Sequence, residues 1–406
     1  ALYNIVDQIF IANADYLGSC GNAANSAVFP LTVIALAIAT MIGDGCCAFV
    51  SINSGAGNTE KAKHGIGNAI TFTVAVSLVL TAIYFIFSSP ILRAFGADVN
   101  AETYRLSEEY FFWISLGIPL YMFGQALNPI IRSDGSPRFA MIALLSGAVT
   151  NCILDPVFIY PCKMGMRGAA IATVLGQLVS AVLSLVYILK SKNLRLCRNE
   201  FKVELKLIKR ILTLGISSFL AQISIVLTMA AVLNSCKKYG ALDAVFSKAE
   251  YAQIPTAVIG IVMKLFQIII SISVGMAAGC IPVIGFNAGA GRYDRVSAML
   301  RSLLICEIAV GAAATVIFEL FPLRFINIFG AANESLHYSR FAVRSIRLLL
   351  STLPLACFNK GFCIFLQALG KAWLSTALSV LREILFGIGV VLLLPLWLGL
   401  EGILWF

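Results

Sequence analysis

Ten runs of about twenty predominantly apolar residues, each long enough to cross the hydrocarbon core of a bilayer as a helix, constrain this chain more than any other feature. They cover 23–53, 66–89, 106–128, 138–160, 168–189, 207–235, 254–286, 298–321, 341–368 and 373–396, parted by glycine, proline and charged breaks. Shorter apolar pieces stand at 1–14 and 400–406, so twelve helices are expected in all. Only 12% of the 406 residues are charged, and the mean hydropathy is +0.90. A water-soluble domain carries roughly 25% charged residues. The deficit excludes an ordinary cytosolic enzyme, a nucleic-acid-binding domain and a disordered scaffold. The net charge of +10 then reads as basic loops beside anionic lipid. The expected fold class is an all-α polytopic membrane protein.

The chain repeats itself at an offset of 234 residues. Asn53–Gly57 matches Asn287–Gly291, Phe95–Ala97 matches Phe329–Ala331, Gly45-Cys46 matches Gly279-Cys280, and Gly168 matches Gly402. Four matches at one offset predict two pseudo-symmetric six-helix bundles around a central cleft. The expected organisation is an N-terminal lobe at 1–190, a basic linker at 191–206 and a C-terminal lobe at 207–406. Asn13, closing the first helix, pairs with Asn234 at an offset of 221, the difference absorbed by a longer loop at 236–253. Extrapolating the repeat predicts that the first and last helices are truncated in this chain, the first by roughly fifteen residues.

Orientation follows from the loops. The stretch 190–210 around the linker, 58–64, 132–138, 292–301 and Lys371 together carry sixteen basic residues against five acidic ones. That side is expected to be cytoplasmic, with both chain ends inside, in a cell (inner) membrane.

Soluble-enzyme signatures are missing: there is no Gly-x-x-x-x-Gly-Lys-Ser/Thr run and no Gly-x-Ser-x-Gly elbow. Gly65-Ile-Gly67 reads as small-residue helix packing, and Asn333–Ser335 is a low-specificity glycosylation pattern. The eleven cysteines lie mostly in apolar runs and read as packing residues. Ionisable residues at membrane depth are the informative ones, because a charge there costs at least about 2.5–3.5 kcal/mol. They are Asp7, Asp44, Asp155, Lys264, Glu307, Lys360, Arg382 and Glu383. Asp44, between Gly43 and Gly45, is expected to serve a broken helix. Glu307, Arg382 and Glu383 lie within a few turns of a boundary and are expected to snorkel or pair.

Asp155 lies roughly 7 Å inside the outer end of the fifth helix at 1.5 Å per residue. Asn151 is one turn below it on the same face. Thr173 lies about as deep on the returning sixth helix, and Asp7 about as deep on the first. Four oxygen-bearing side chains from three helices therefore share a layer, suited to a hard monovalent cation or to a shared proton. Pro156 removes a helix hydrogen bond to the Cys152 carbonyl and bends the helix there.

Tyr3–Ile11, Ile131–Pro137, Asn151–Pro156 and Pro282–Asn287 together resemble the multidrug and toxic compound extrusion family, and the similarity runs along essentially the whole chain. The resemblance implies two six-helix bundles facing across a cleft and the exchange of cations for organic, often cationic, drugs. It is to the DNA-damage-inducible bacterial branch, and there the matching cation-site positions are Asp7, Asn151, Asp155 and Thr173, with the backbone at Ala169 as a further ligand. The other bacterial branch carries acidic residues on helices seven and ten. Here those stretches read Phe219–Ile223 and Phe358–Gly361, without a carboxylate.

The leading reading is a Na⁺- or H⁺-coupled antiporter, a monomer with no cofactor and no nucleic-acid partner, exporting small amphipathic compounds by alternating access. Mid-span placement nominates Phe29, Gln125, Gln222, Met263, Lys264, Gln267 and Asn359 as cleft residues, since broad binding uses area and adaptable contacts. One alternative is a lipid-linked oligosaccharide flippase, whose pyrophosphate would need Lys264 and Lys360. Another is a membrane-embedded lipid-modifying enzyme. The only histidines, His64 and His337, fall on opposite faces by the helix count and are not expected to cooperate.

Overall fold

The computed structural model describes residues 7, 10–11, 14, 17–95, 97, 101–191, 196, 198–243, 245–246, 254–328 and 336–405. Asn13, Gly96, Phe329–Ala331, Asn333–Ser335, 192–195 and the His337 side chain lie outside them. Among the described residues ten helices are long and apolar enough to cross a membrane. In chain order they and their connectors are α1 (Gly18–Gly55), α2 (Thr59–Ile86), α3 (Ser88–Ala94), α4 (Ala101–Ser133), α5 (Pro137–Ile159) and α6 (Gly165–Lys190). A short 3₁₀ turn, Arg198–Phe201, leads to α7 (Leu205–Gly240), α8 (Ile254–Gly289), α9 (Tyr293–Leu320), α10 (Pro322–Ile328), α11 (Leu336–Leu350) and α12 (Leu353–Ala368). The chain ends with α13 (Ala372–Val380), a π-helix at Leu381–Gly389, α14 (Val390–Leu398) and α15 (Glu401–Leu404).

Every expected full span corresponds to one of the ten helices, and most helices run longer. α2 starts at Thr59 rather than 66, because Glu60, Lys61, Lys63 and His64 form its solvated first turns. Two spans differ in kind. The ninth, Tyr338–Ala368, is interrupted at Ser351-Thr352, where Pro354, in the first turn of α12, has no N–H to continue the preceding helix. The tenth, Ala372–Leu398, carries the π-helix in its middle.

The repeat is visible in the backbone. α2 and α9 start 234 residues apart and are each 28 residues long; α3 and α10 start at the same offset and are each seven. The six glycines with positive φ form three pairs: Gly57 with Gly291 and Gly165 with Gly399 at the same spacing, and Gly135 with Gly370 one residue longer. Gly57 and Gly291, at φ +80° and +70°, end α1 and α8 alike. Their N–H groups donate to Ser54 and Ala288, and the next residues, Asn58 and Arg292, donate to Asn53 and Asn287. This is the left-handed helix stop that glycine allows without a Cβ clash.

The chain forms two compact units. The first comprises 1–222 with 281–292 and 367–372; the second comprises 223–280, 293–366 and 373–406. Within the first, Val28, Leu31, Tyr84, Phe111, Met122 and Met166 belong to one core, and Ile42, Ile66, Leu127, Ile130 and Ile211 to another. The second packs around Val258, Ile259, Phe318, Tyr338, Ile346 and Ile403.

α5 shows how a bilayer inverts the usual helix pattern. Met141, Leu145, Val149 and Ile153 are exposed at every fourth position, while Ala143, Gly147, Asn151 and Asp155 are buried at the same spacing. Lipid accepts the large apolar row; the small and polar row must turn inward.

Asp44 does not mark a break. α1 runs continuously through it, and the flanking glycines serve helix packing instead. A Cβ on Gly45 would lie 2.2 Å from the Ile211 carbonyl oxygen, and one on Gly43 would lie 2.7 Å from that of Ala126. Asp44 itself pairs with Arg132 at 3.6 Å and accepts from Ser218 at 2.9 Å. Asp134, two residues beyond Arg132, accepts from Tyr187 and Ser191, each at 2.7 Å. The linker is gripped where it approaches α7. Asn68 donates to the Lys202 carbonyl at 3.0 Å and accepts from the Glu204 N–H at 2.7 Å. Gly67 leaves room for the Glu200 carbonyl, which would lie 2.2 Å from a Cβ there.

Candidate functional site

Small residues bring α5 and α6 close enough for their polar groups to meet. Gly176 on α6 faces Gly147 on α5, one turn from Asn151. Asn151 Nδ2 reaches Asp155 Oδ2 at 3.2 Å on its own helix and Thr173 Oγ1 at 3.3 Å on α6. Thr173 Oγ1 in turn donates to Asp7 Oδ2 at 3.4 Å, joining the helical segment that contains Asp7. The Asp7 and Asp155 carboxyl groups also lie within hydrogen-bonding reach of each other. All four side chains are buried, with exposures of 4% for Asp7, 2% for Asn151, 0% for Asp155 and 7% for Thr173. The structure thus unites the four residues that depth counting had placed in one layer. Ala169 is buried one turn before Thr173 on α6.

The group is rich in acceptors. Two carboxylates, an amide and a hydroxyl present six oxygens but only three donor hydrogens. Asp7 Oδ1, Asn151 Oδ1 and Asp155 Oδ1 are buried without a hydrogen-bond partner. A buried carboxylate oxygen left this way is strongly disfavoured unless a cation or proton meets it. Oxygen-only ligation suits a hard cation. Among the described residues no three His, Cys, Asp or Glu side chains gather as metal ligands.

A cavity opens onto this group from the side of α4. Gln125, Asn151, Thr173, Gly176, Gln177 and Ser180 contribute to its wall, and Gln177 Oε1 is a further buried acceptor without a partner. Of the nominated cleft residues, Gln125 therefore lines a cavity. Phe29 and Gln222 are half-buried in the first unit. Met263, Lys264 and Gln267 are half-buried within about one turn of α8, and Asn359 is half-buried on α12.

In the second unit Glu307 departs from expectation, while Arg382 and Glu383 pair as expected. Glu307 does not snorkel: it is wholly buried, accepts from Ser273 at 2.5 Å, and keeps Oε1 unpartnered. Glu383 is held by Lys360, by Arg382 at 2.8 Å and by Ser224 at 2.8 Å. The assembly of these four was missed in the sequence, although the signal was present. Lys360 stands eight residues before the end of α12 and Glu383 eleven after the start of α13, so both lie at a similar depth.

The MatE family profile matches residues 1–157 and again 236–393. The multidrug export protein MepA of Staphylococcus aureus (strain MSSA476) is 25% identical over the whole of this chain and 85% of its own length. The Bacillus subtilis (strain 168) protein named "Probable multidrug resistance protein YoeA" is 27% identical over 83% of this chain and 70% of its own. Among solved structures, a MATE protein in complex with MaL6 superposes with a TM-score of 0.89 at 23% identity, covering 100% of this chain and 87% of that one. A MOP superfamily transporter from Pyrococcus furiosus gives 0.88 at 22% identity, covering 99% and 86%. These relatives are transporters, so the embedded-enzyme alternative falls away. With the profile matched twice, and over well more than half its residues, the chain belongs to the MatE family of membrane transporters.

Proposed function

We propose that this protein exports small amphipathic organic compounds from the cell by antiport with Na⁺ or H⁺, and that Asp7, Asn151, Asp155 and Thr173 form the coupling site. The observation that carries the reading is the acceptor surplus: three buried oxygens of this group have no partner, and a cation or a proton supplies one. Two carboxylates in a low-dielectric site resist ionising together, so occupancy changes the energy of holding the Asp7 segment against α5 and α6. The Ala169 backbone is the further ligand in this scheme, and Phe29, Gln125, Gln222, Met263, Lys264, Gln267 and Asn359 contact the exported compound. The multidrug names of MepA and YoeA support the substrate class.

The protein works as a monomer in the cell membrane, with both ends and the basic linker on the cytoplasmic side. It uses no cofactor beyond the coupling ion and no nucleic acid. The test is efflux of a fluorescent cationic dye from proteoliposomes under a Na⁺ gradient and, separately, a pH gradient. Efflux driven by one gradient supports the reading. Dye movement indifferent to both overturns it.

A further inference from the structure

Lys360, Arg382 and Glu383 place three charges at one point inside the second unit, and they do not balance. Both cations bind the same oxygen, Glu383 Oε1, while Ser224 donates to Oε2. No second carboxylate forms an ion pair with either cation among the described residues. The nearby Glu307 is bound to Ser273, with no ion pair to Arg382. An ammonium brings three N–H donors and a guanidinium five. Glu383 takes one contact from each, and no other hydrogen bond or ion pair of either side chain is found among the described residues. The Lys360 and Glu383 side chains are 7% and 12% exposed, whereas Arg382 is 22% exposed and forms the open edge.

Two further observations point to a ligand. Arg382 and Glu383 sit on the π-helix Leu381–Gly389. Such i→i+5 stretches are rare and recur at functional sites. The second comes from the repeat. Around the Gly135/Gly370 turns the two halves are offset by 235 residues, as the starts of α5 and α13 at Pro137 and Ala372 confirm. At that offset Lys360, Arg382 and Glu383 correspond to Gln125, Gly147 and Ala148. All three of those residues line the cavity in the first unit. The fold opens a cavity at this place in one half and sets a surplus cation there in the other.

We propose that Arg382, with Lys360 oriented by Glu383, binds the acidic group of an amphipathic molecule: a carboxylate, sulfonate or phosphate carried on an apolar body. The proposal extends the export reading by adding acids and zwitterions to its substrates. It concerns binding alone, so it stands or falls without any ion gradient. A guanidinium suits such an anion because its planar fork pairs with two oxygens at once.

The experiment uses the full chain in phosphatidylcholine nanodiscs, titrated with dansyl-aminoundecanoate and with its uncharged methyl ester. The acid should bind about tenfold more tightly than the ester, and Arg382→Gln should abolish that preference. Arg382→Lys should retain part of it, and this variant decides the matter if Arg382→Gln does not fold. Asp7→Asn should leave the preference intact, which separates this site from the coupling site. A second arm adds phosphatidic acid to the discs. Displacement of the acid probe identifies a lipid headgroup as the occupant, and its persistence identifies a soluble amphiphile; both support the site. Equal binding of acid and ester by the unmodified protein, or a preference that survives Arg382→Gln, overturns it.

Discussion

Gly147 and Gly176 stand face to face where α5 crosses α6, and a Cβ on either would lie 2.6 Å from the carbonyl oxygen of the other. The absence of side chains here lets Asn151 reach Thr173. Alanine at either position should push the helices apart and destabilise the protein by about 1–3 kcal/mol, the range for overpacking a close contact. Thermal unfolding in detergent measures the loss, and coupled transport should fall with it.

The two carboxylates should dominate coupling. Asp7→Asn and Asp155→Asn each preserve shape but remove a negative charge, and each should abolish ion-driven efflux while the protein still folds and binds substrate. Asn151→Ala and Thr173→Ala remove a neutral ligand and should weaken cation binding by only about two- to tenfold. Efflux at the unmodified rate from either Asp→Asn variant would contradict the proposed site.

Glu383→Leu strands the buried Lys360 beside Arg382 with no carboxylate to meet either cation. Breaking one member of a buried pair typically costs about 3–5 kcal/mol, whereas apolar replacement of the whole pair is often tolerated. The double variant Lys360→Met/Glu383→Leu should therefore melt above the single one. A double variant no more stable than Glu383→Leu would show that the pair is not the cause.

Glu307 differs because its one bond comes from a hydroxyl and no cation meets it. Glu307→Gln keeps an acceptor for Ser273 without charge and should leave stability within about 1 kcal/mol. Glu307→Ala leaves a cavity beside Gly361 and should cost about 2–4 kcal/mol. Paired melting curves of the two variants check the difference.

The connection between α5 and α6 carries Cys162, which is exposed. On the proposed orientation, with the basic linker cytoplasmic, this loop faces out. In a variant retaining Cys162 alone, a membrane-impermeant maleimide should label intact cells from outside. Labelling only after the membrane is opened would reverse the orientation.

Helices and repeat were legible because lipid demands long apolar runs and because glycines at left-handed turns cannot drift. Counting residues inward from the helix ends sufficed to group Asp7, Asn151, Asp155 and Thr173. The same count would have joined Lys360 to Glu383, but proximity to a boundary suggested only snorkelling or pairing near the membrane edge. The π-helix leaves no trace in residue spacing, since it is a backbone choice. Asp44 misled because glycines on both sides look alike whether they break a helix or admit a neighbour; only the Ile211 and Ala126 backbones distinguish the two.

The grip of Asn68 on the linker bears on where the chain can be cut. Residues 202 and 204 are tied to α2 by a buried carboxamide, with Glu200 seated over Gly67. The peptide bonds upstream of Arg198 therefore carry none of that attachment. A nick there would separate the polypeptide into two pieces yet leave the second still fastened to the first by its leading residues, so co-expressed fragments divided at this point should find each other in the membrane.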